Sequence, residues 1–224
     1  MDLKPWNEKL KELRSIILKN DKFIEAMNLC LELHAMVHSS EMSNMSTITF
    51  EDELWKDLNE ETIRTAVNDK GRTIAYGMWH SARIEDITMN ILVNNGEQVI
   101  NSGNWLKKVN SIIKNTGNQL TNEEILEFSK HINIEELKNY RIAVGRKSEE
   151  IIKNLQFSDM KRKMEQDGLR RILNEGAVSE DESAIWLIDF WGRKNVSGIL
   201  LMPLTRHHVV HINESLSAKK KKSK

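Results

Sequence analysis

The sequence predicts an all-α protein built as a four-helix bundle, with short accessory helices in the connections. Three observations carry this. Apolar residues recur at spacings of three and four along most of the chain. Only two prolines and ten glycines interrupt 224 residues. No stretch alternates apolar and polar residues as a half-buried strand would. With 39% hydrophobic and 29% charged residues, the composition suits one soluble helical domain. That domain is read as residues 1–216, followed by a disordered lysine-rich tail over 217–224.

The elements follow in order. Residues 5–19 open with Pro5 and place Leu10, Leu13, Ile16 and Ile17 on one side, predicting a first helix. After a break, 20–40 carries Ile24, Met27, Leu31, His34 and His38 at helical spacing. Thr49, followed by acidic residues, is an N-cap for a short helix. Residues 72–94 form the longest periodic run, with Ile74, Gly77, Ser81, Ile84, Thr88 and Ile91 on or near one side. A loop follows, then a short amphipathic helix at "NWLKKVNSIIK". "TNEE" at 121–124 and "NIEE" at 133–136 both have the form of capping boxes. The second opens a helix with Leu137, Tyr140, Arg141, Val144, Ile151, Ile152 and Leu155 in register. Further helices are expected at 158–176, after "SEDE" at 179–182, and from Val196 to Ser215.

Charge excludes some functions. The net charge is zero, but five of the last six residues are lysines, and without them 28 basic face 33 acidic residues, a body near −5. No basic stripe crosses that body, so nucleic acid is not an expected partner. No apolar run approaches the ~18 residues of a membrane span, and no membrane partner is expected. The single cysteine, Cys30, excludes an internal disulfide and fits a reducing compartment. Its apolar surroundings, "MNLCLELHAM", make it a core residue. A cytoplasmic protein is expected.

The seven histidines carry the chemistry. "MPLTRHHVVHINES" packs His207, His208 and His211 into five positions. On a helix, residues four apart share a face, so His207 and His211 could chelate one transition-metal ion or form a plain histidine pair. His208 points about 100° away and is read as a neighbour. It also stands where the glutamate of H-E-x-x-H would be, which removes a zincin protease. Pro203, one turn before His207, predicts a kink and a freed carbonyl there. His80 lies in an apolar helical run after Trp79. One histidine on one long helix and two on another match an open three-ligand site, which leaves a position for water or substrate.

Two segments resemble a known family. "TIAYGMWHSARIED" looks like the second-helix signature of the DinB-like (DinB/YfiT) superfamily, and "LTRHHVVHINE" looks like its last-helix H-x-x-x-H. The resemblance covers roughly residues 20–216, strong at these segments and loose between them. It implies an up-down-down-up bundle with one divalent metal ion, usually nickel or zinc, and its ligands carry over to His80, His207 and His211. It also implies a thiol-dependent transferase, or a hydrolase, with a low-molecular-weight thiol as co-substrate and a small-molecule substrate. A non-enzymatic, stress-related or binding bundle with a structural or vestigial metal is the rival expectation.

The chain departs from the family pattern in His208, in a longer middle region (93–180), and in "LELHAMVH". His34 and His38 could line the pocket opposite the metal, act as a base, be ligands themselves, or form a half-buried polar pair. Arg83 could reach the pocket mouth and bind a substrate carboxylate, or pair with Glu85 in solvent. Asn213 or Glu214 could orient a ligand histidine. His131 is expected to be exposed. Six tryptophans suggest core or interface anchors, and "IWLIDFWGRKNVSG" a homodimer surface or a cap over the pocket.

Overall fold

A computed structural model describes residues 2–222, which are mostly helical and contain no strand. The first helix, α1 (Lys4–Ile16), has proline in its first turn and buries Trp6, Leu10, Leu13 and Ile16. It packs against α2 (Phe23–Ala35). Short helices α3 (Ser40–Ser43), α4 (Phe50–Trp55) and α5 (Glu60–Thr65) fill the connection to the central helix. Thr49 caps α4 in a full capping box with Asp52.

The central helix, α6 (Ile74–Asp86), continues as a π-helical segment over Ile87–Val93. Every residue of both is buried. The periodic pattern predicts one buried side, but neighbours enclose this helix on all sides. Helices α9 (Ile134–Asn154) and α13 (His207–Lys222) make its most extensive contacts, with α5 and α8 (Asn122–His131) also against it. Enclosure forces each of its polar residues to find an internal partner, because an unpaired buried polar group costs more than the bond it would make. Ser81 and Thr88 donate back to Gly77 O and Ile84 O, at 2.9 and 2.8 Å. Arg83 donates to Asp86 Oδ2 (2.7 Å), Tyr140 Oη (2.8 Å), Gln98 Oε1 (2.5 Å) and Lys114 O (2.8 Å). A solvated pair with Glu85 and a reach to a pocket mouth are therefore both replaced by a wholly internal arginine.

The longer middle region also serves α6. Between α7 (Trp105–Val109) and α8, residues 114–117 run antiparallel to the helix. Four successive carbonyls there accept from α6 side chains. Arg83 takes Lys114 O, Trp79 takes Asn115 O, His80 takes Thr116 O and Tyr76 takes Gly117 O, at 2.8 to 3.1 Å. The "TNEE" box forms in full at Thr121 and Glu124, whereas at "NIEE" only Asn133 caps, accepting from Glu136 N.

Helices α10 (Gln166–Asn174), α11 (Glu182–Gly192) and α12 (Val196–Leu201) complete the fold. Pro203 sits in a π-helical turn, Met202–Arg206, that leads directly into α13. Proline cannot donate to the preceding turn, and Thr205 Oγ1 caps Leu200 O there at 2.9 Å.

The tail differs from the expected disorder. Helix α13 runs on to Lys222, and Lys219 Nζ donates to Leu54 O at 3.0 Å. Ser223 and Lys224 lie outside the described residues. No helix among the described residues is long and apolar enough to cross a membrane. Cys30 is fully buried, and burial pushes its thiol up to about 12. A thiol reagent is therefore expected to label it only on unfolding. Labelling of the folded protein within minutes at pH 8 would contradict its packing.

Candidate metal centre

Two histidine clusters lie back to back between α6 and α13, and each helix contributes to both. His80, His207 and His211 form the first. His34, His38 and Glu85 form the second, joined by His208. Both groups have donor sets that could hold a metal ion.

In the first cluster the ligand atoms lie within 4.8 Å of one another. His207 Nε2 and His211 Nε2 are 3.2 Å apart. That equals an edge of a tetrahedron with metal–nitrogen bonds of ~2.0 Å, which is roughly 3.3 Å long. Two of the three far nitrogens, those of His80 and His211, are fixed as ligand histidines require, while His207 Nδ1 is buried without a partner. His80 Nδ1 faces Thr116 O at 2.8 Å, and a carbonyl can only accept, so Nδ1 carries the proton and Nε2 keeps its lone pair. His211 Nδ1 faces Glu214 Oε2 at 3.3 Å. Glu214 is held by Lys70 Nζ at 2.7 Å and Asn68 Nδ2 at 3.3 Å. Its bond to His211, against partial burial, brings its carboxyl down to about 2. Burial, with the neighbouring imidazoles, pushes His80 and His207 well below the ordinary histidine value. Burial lowers His211 too. Three neutral imidazoles near neutral pH are what metal binding needs.

The second cluster has different surroundings. Its side chains are essentially inaccessible to solvent. Glu85 Oε1 lies 2.8 Å from His34 Nε2, and Oε2 lies 2.9 Å from His38 Nε2. His208 Nε2 is 2.8 Å from Oε2 but off the line of a straight hydrogen bond. Burial opposes ionisation of Glu85, yet His38, His34 and His208 outweigh it and hold the carboxyl well below its usual range. The Nδ1 atoms of His34, His38 and His208 have no partner. Ligation through Nε2 would turn each into a buried, unpaired N–H, three such groups against the one at His207 in the first cluster. The second cluster therefore suits imidazole N–H groups converging on a carboxylate, and the first suits a metal ion.

Beside Glu85, Arg141 pairs with Glu51 through Nε at 3.0 Å and Nη2 at 2.6 Å, and reaches Ser81 Oγ at 2.9 Å. His34 ends α2, but His38 lies in the turn beyond it, so a helical i, i+4 pair is not what joins them. Neither lines the cavity at the first cluster. Of the downstream candidates, Glu214 contacts His211 and Asn213 is exposed. His131 is exposed and faces Glu127.

Gly145 on α9 makes room for the second cluster. A Cβ there would stand 2.7 Å from Met42 Cγ and 3.0 Å from His38 Nδ1. Gly145→Ala should push His38 off Glu85 and cost roughly 1–3 kcal/mol. Denaturant unfolding measures it, and unchanged stability would show that the ring moves freely.

Acid should weaken the metal-free protein early. Burial lowers His34, and lowers His208 to about 4. Between those values and the unfolded value of about 6.5, the unfolded chain binds more protons, so stability falls as pH drops below about 6.5. The depressed carboxyls of Glu85 and Glu214 act in the same direction further down. Their contribution is full above the unfolded carboxylate value of about 4.3 and is lost as pH falls through the folded values, about 2 for Glu214 and well below the usual range for Glu85. Denaturation after metal chelation at pH 7.5, 6 and 5 should give a steady decline. A flat profile would mean the imidazoles titrate in the folded protein as they do in the unfolded chain.

The first cluster opens onto a cavity of about 280 Å³, walled largely by apolar side chains of α11 and the Met202–Pro203 turn. No model of a known protein family matches the chain, and no curated protein matches it. The likeness to DinB-like proteins rests on the two helical segments alone. The structure defines an all-α protein with a buried three-histidine group that could hold a metal ion.

Proposed function

We propose that the protein is a divalent-metal-dependent enzyme of the DinB-like kind, a thiol-dependent S-transferase or a hydrolase. One observation carries the reading. Three imidazoles meet at the wall of an apolar cavity, with Nδ1 of His80 and of His211 already engaged by an acceptor behind it. Three protein ligands leave an open position. A divalent ion there, zinc or nickel in this reading, supplies Lewis acidity that lowers the pKa of a thiol or a water molecule. The chain's own residues do the rest. Thr116 and Glu214 hold the rings of His80 and His211, and the aromatic wall excludes bulk water.

In the same reading the long helices α2, α6, α9 and α13 form the up-down-down-up bundle, the protein is cytoplasmic, and exposed Trp186 belongs to a homodimer surface or to the rim of the cavity. The test is turnover. Protein purified without chelators, then loaded with zinc or nickel, is assayed with low-molecular-weight thiols against a panel of electrophiles, and for hydrolysis of activated esters. Activity that vanishes on chelation and returns with metal supports the reading. Metal-loaded protein inert across both panels counts against it.

A further inference from the structure

We propose that the cavity beside His80, His207 and His211 takes a small molecule with an apolar, ring-sized body and one oxyanionic group, and that Arg72 binds the anion. This rests on the metal-site reading and adds the substrate class.

The body is set by the walls. Trp186, Phe190 and Trp191 project from α11, and Met202 and Pro203 close the side near the histidines. Trp186 is 50% exposed and meets Phe190 edge-to-face, with centroids 5.9 Å apart. An aromatic pair left open at a cavity mouth is apolar surface without a partner, and a flat or branched apolar group covers it. The volume, about 280 Å³, sits at the lower end of ligand sites and limits the occupant to small-molecule size.

The anion is set by one polar group among these walls. Arg72 carries a guanidinium whose carbon lies 5.9 Å from the Tyr76 ring centre, and its nearest carboxylate oxygen, on Glu214, is 4.0 Å away. Among the described residues no acceptor takes a hydrogen bond from that guanidinium, although the side chain is only 30% exposed. A guanidinium held in place by stacking, with its fork unused, is ready for a bidentate oxyanion. Asn118 also lines the cavity, and its side-chain oxygen is buried without a partner. That oxygen can only accept, so it suits an N–H or O–H on the ligand and takes no part in holding the anion.

A cationic ligand is disfavoured by the same inventory. No carboxylate lines the cavity. Glu214, the nearest, is already committed to His211, Lys70 and Asn68. Arginine, and a divalent ion at the histidines, both draw an anion in.

Calorimetric titration of the full-length, metal-loaded protein tests this with defined probes. These are 3-phenylpropionate, its neutral amide, acetate, and phenyl phosphate. Metal content is measured on the same samples of wild type, Arg72→Gln and Arg72→Lys. The acid should bind roughly ten-fold more tightly than the amide, as a charged hydrogen bond implies. Acetate should bind weakly for lack of a body. Arg72→Gln should bring the acid down to the amide's level with metal content unchanged, and Arg72→Lys should recover part of the difference. Tighter binding of phenyl phosphate than of the acid would identify phosphate as the anion and keep the proposal. Equal binding of acid and amide would overturn it, as would no binding, or acid binding indifferent to Arg72→Gln, which would place the carboxylate on the metal instead. If the wild type holds no metal, the metal-site reading fails, and Arg72-dependent binding still decides the substrate class separately.

Discussion

His80→Ala and His211→Ala are each expected to abolish stoichiometric metal binding in protein purified without chelators. An open site with three protein ligands cannot lose one and keep its affinity. The same substitutions remove the group facing Thr116 O or Glu214, so neither has a hidden substitute. Glu214→Gln gives an intermediate result. It weakens the acceptor behind His211 without touching a ligand atom, and should lower metal affinity roughly 10–100-fold. His34→Ala and His38→Ala act on the second cluster and should leave metal content unchanged in whatever protein folds. Metal analysis of the five purified variants reads the whole series. Unchanged metal in both His80→Ala and His211→Ala would sink the ligand assignment. Loss only in His34→Ala and His38→Ala would move the ion to the second cluster.

The largest effect on stability is expected at Glu85. Removing it leaves three buried imidazoles without their shared acceptor, and breaking a buried charged network typically costs about 3–5 kcal/mol. For a domain of this size Glu85→Ala should lower the melting temperature by roughly 10 °C. Glu85→Gln keeps an acceptor oxygen and most of the volume, and should lose less. His208→Ala removes one spoke of the same network and should fall between Glu85→Gln and wild type. Thermal unfolding by circular dichroism ranks them. A Glu85→Ala protein as stable as wild type would mean that the carboxylate contributes nothing to the native state.

How much of this could be read in advance depends on whether the signal was local. The His207–His211 pair was legible because helical spacing alone puts two residues four apart on one face. His80 was legible as a polar residue in an apolar run, although its convergence with the pair depends on how α6 and α13 pack. The pattern over residues 72–94 reads as one-sided, whereas every residue from Ile74 to Val93 is buried. A periodic pattern shows which side is most apolar, and it cannot show that neighbours cover the other side with matched polar groups. Arg83, Glu85 and Asp86 look like a solvated face in sequence and are buried in the structure. The union of His34, His38, Glu85 and His208 joins three helices and the turn after the first of them, which no spacing rule reaches. The acceptors at 114–117 are backbone carbonyls, and a carbonyl leaves no mark on residue identity. The π-helical turn at Met202–Arg206 had a local signal in Pro203, though a kink and a widened turn read alike.

The enclosure of α6 has a dynamic consequence. Amide hydrogens of a helix buried on every side exchange with solvent only when the domain opens as a whole, so those between Met78 and Val93 should be among the slowest in the molecule. His80 and Glu85 ride on that slow segment, and their separation is fixed on every timescale shorter than global opening. The opposite wall of the cavity belongs to α11, whose Trp186 is half exposed and whose residues are buried only at Ala184, Leu187 and Trp191. Breathing of the site should be one-sided, with the histidine wall still and the aromatic wall in motion. Exchange measured residue by residue would show that contrast directly, with protection falling steeply from α6 to α11.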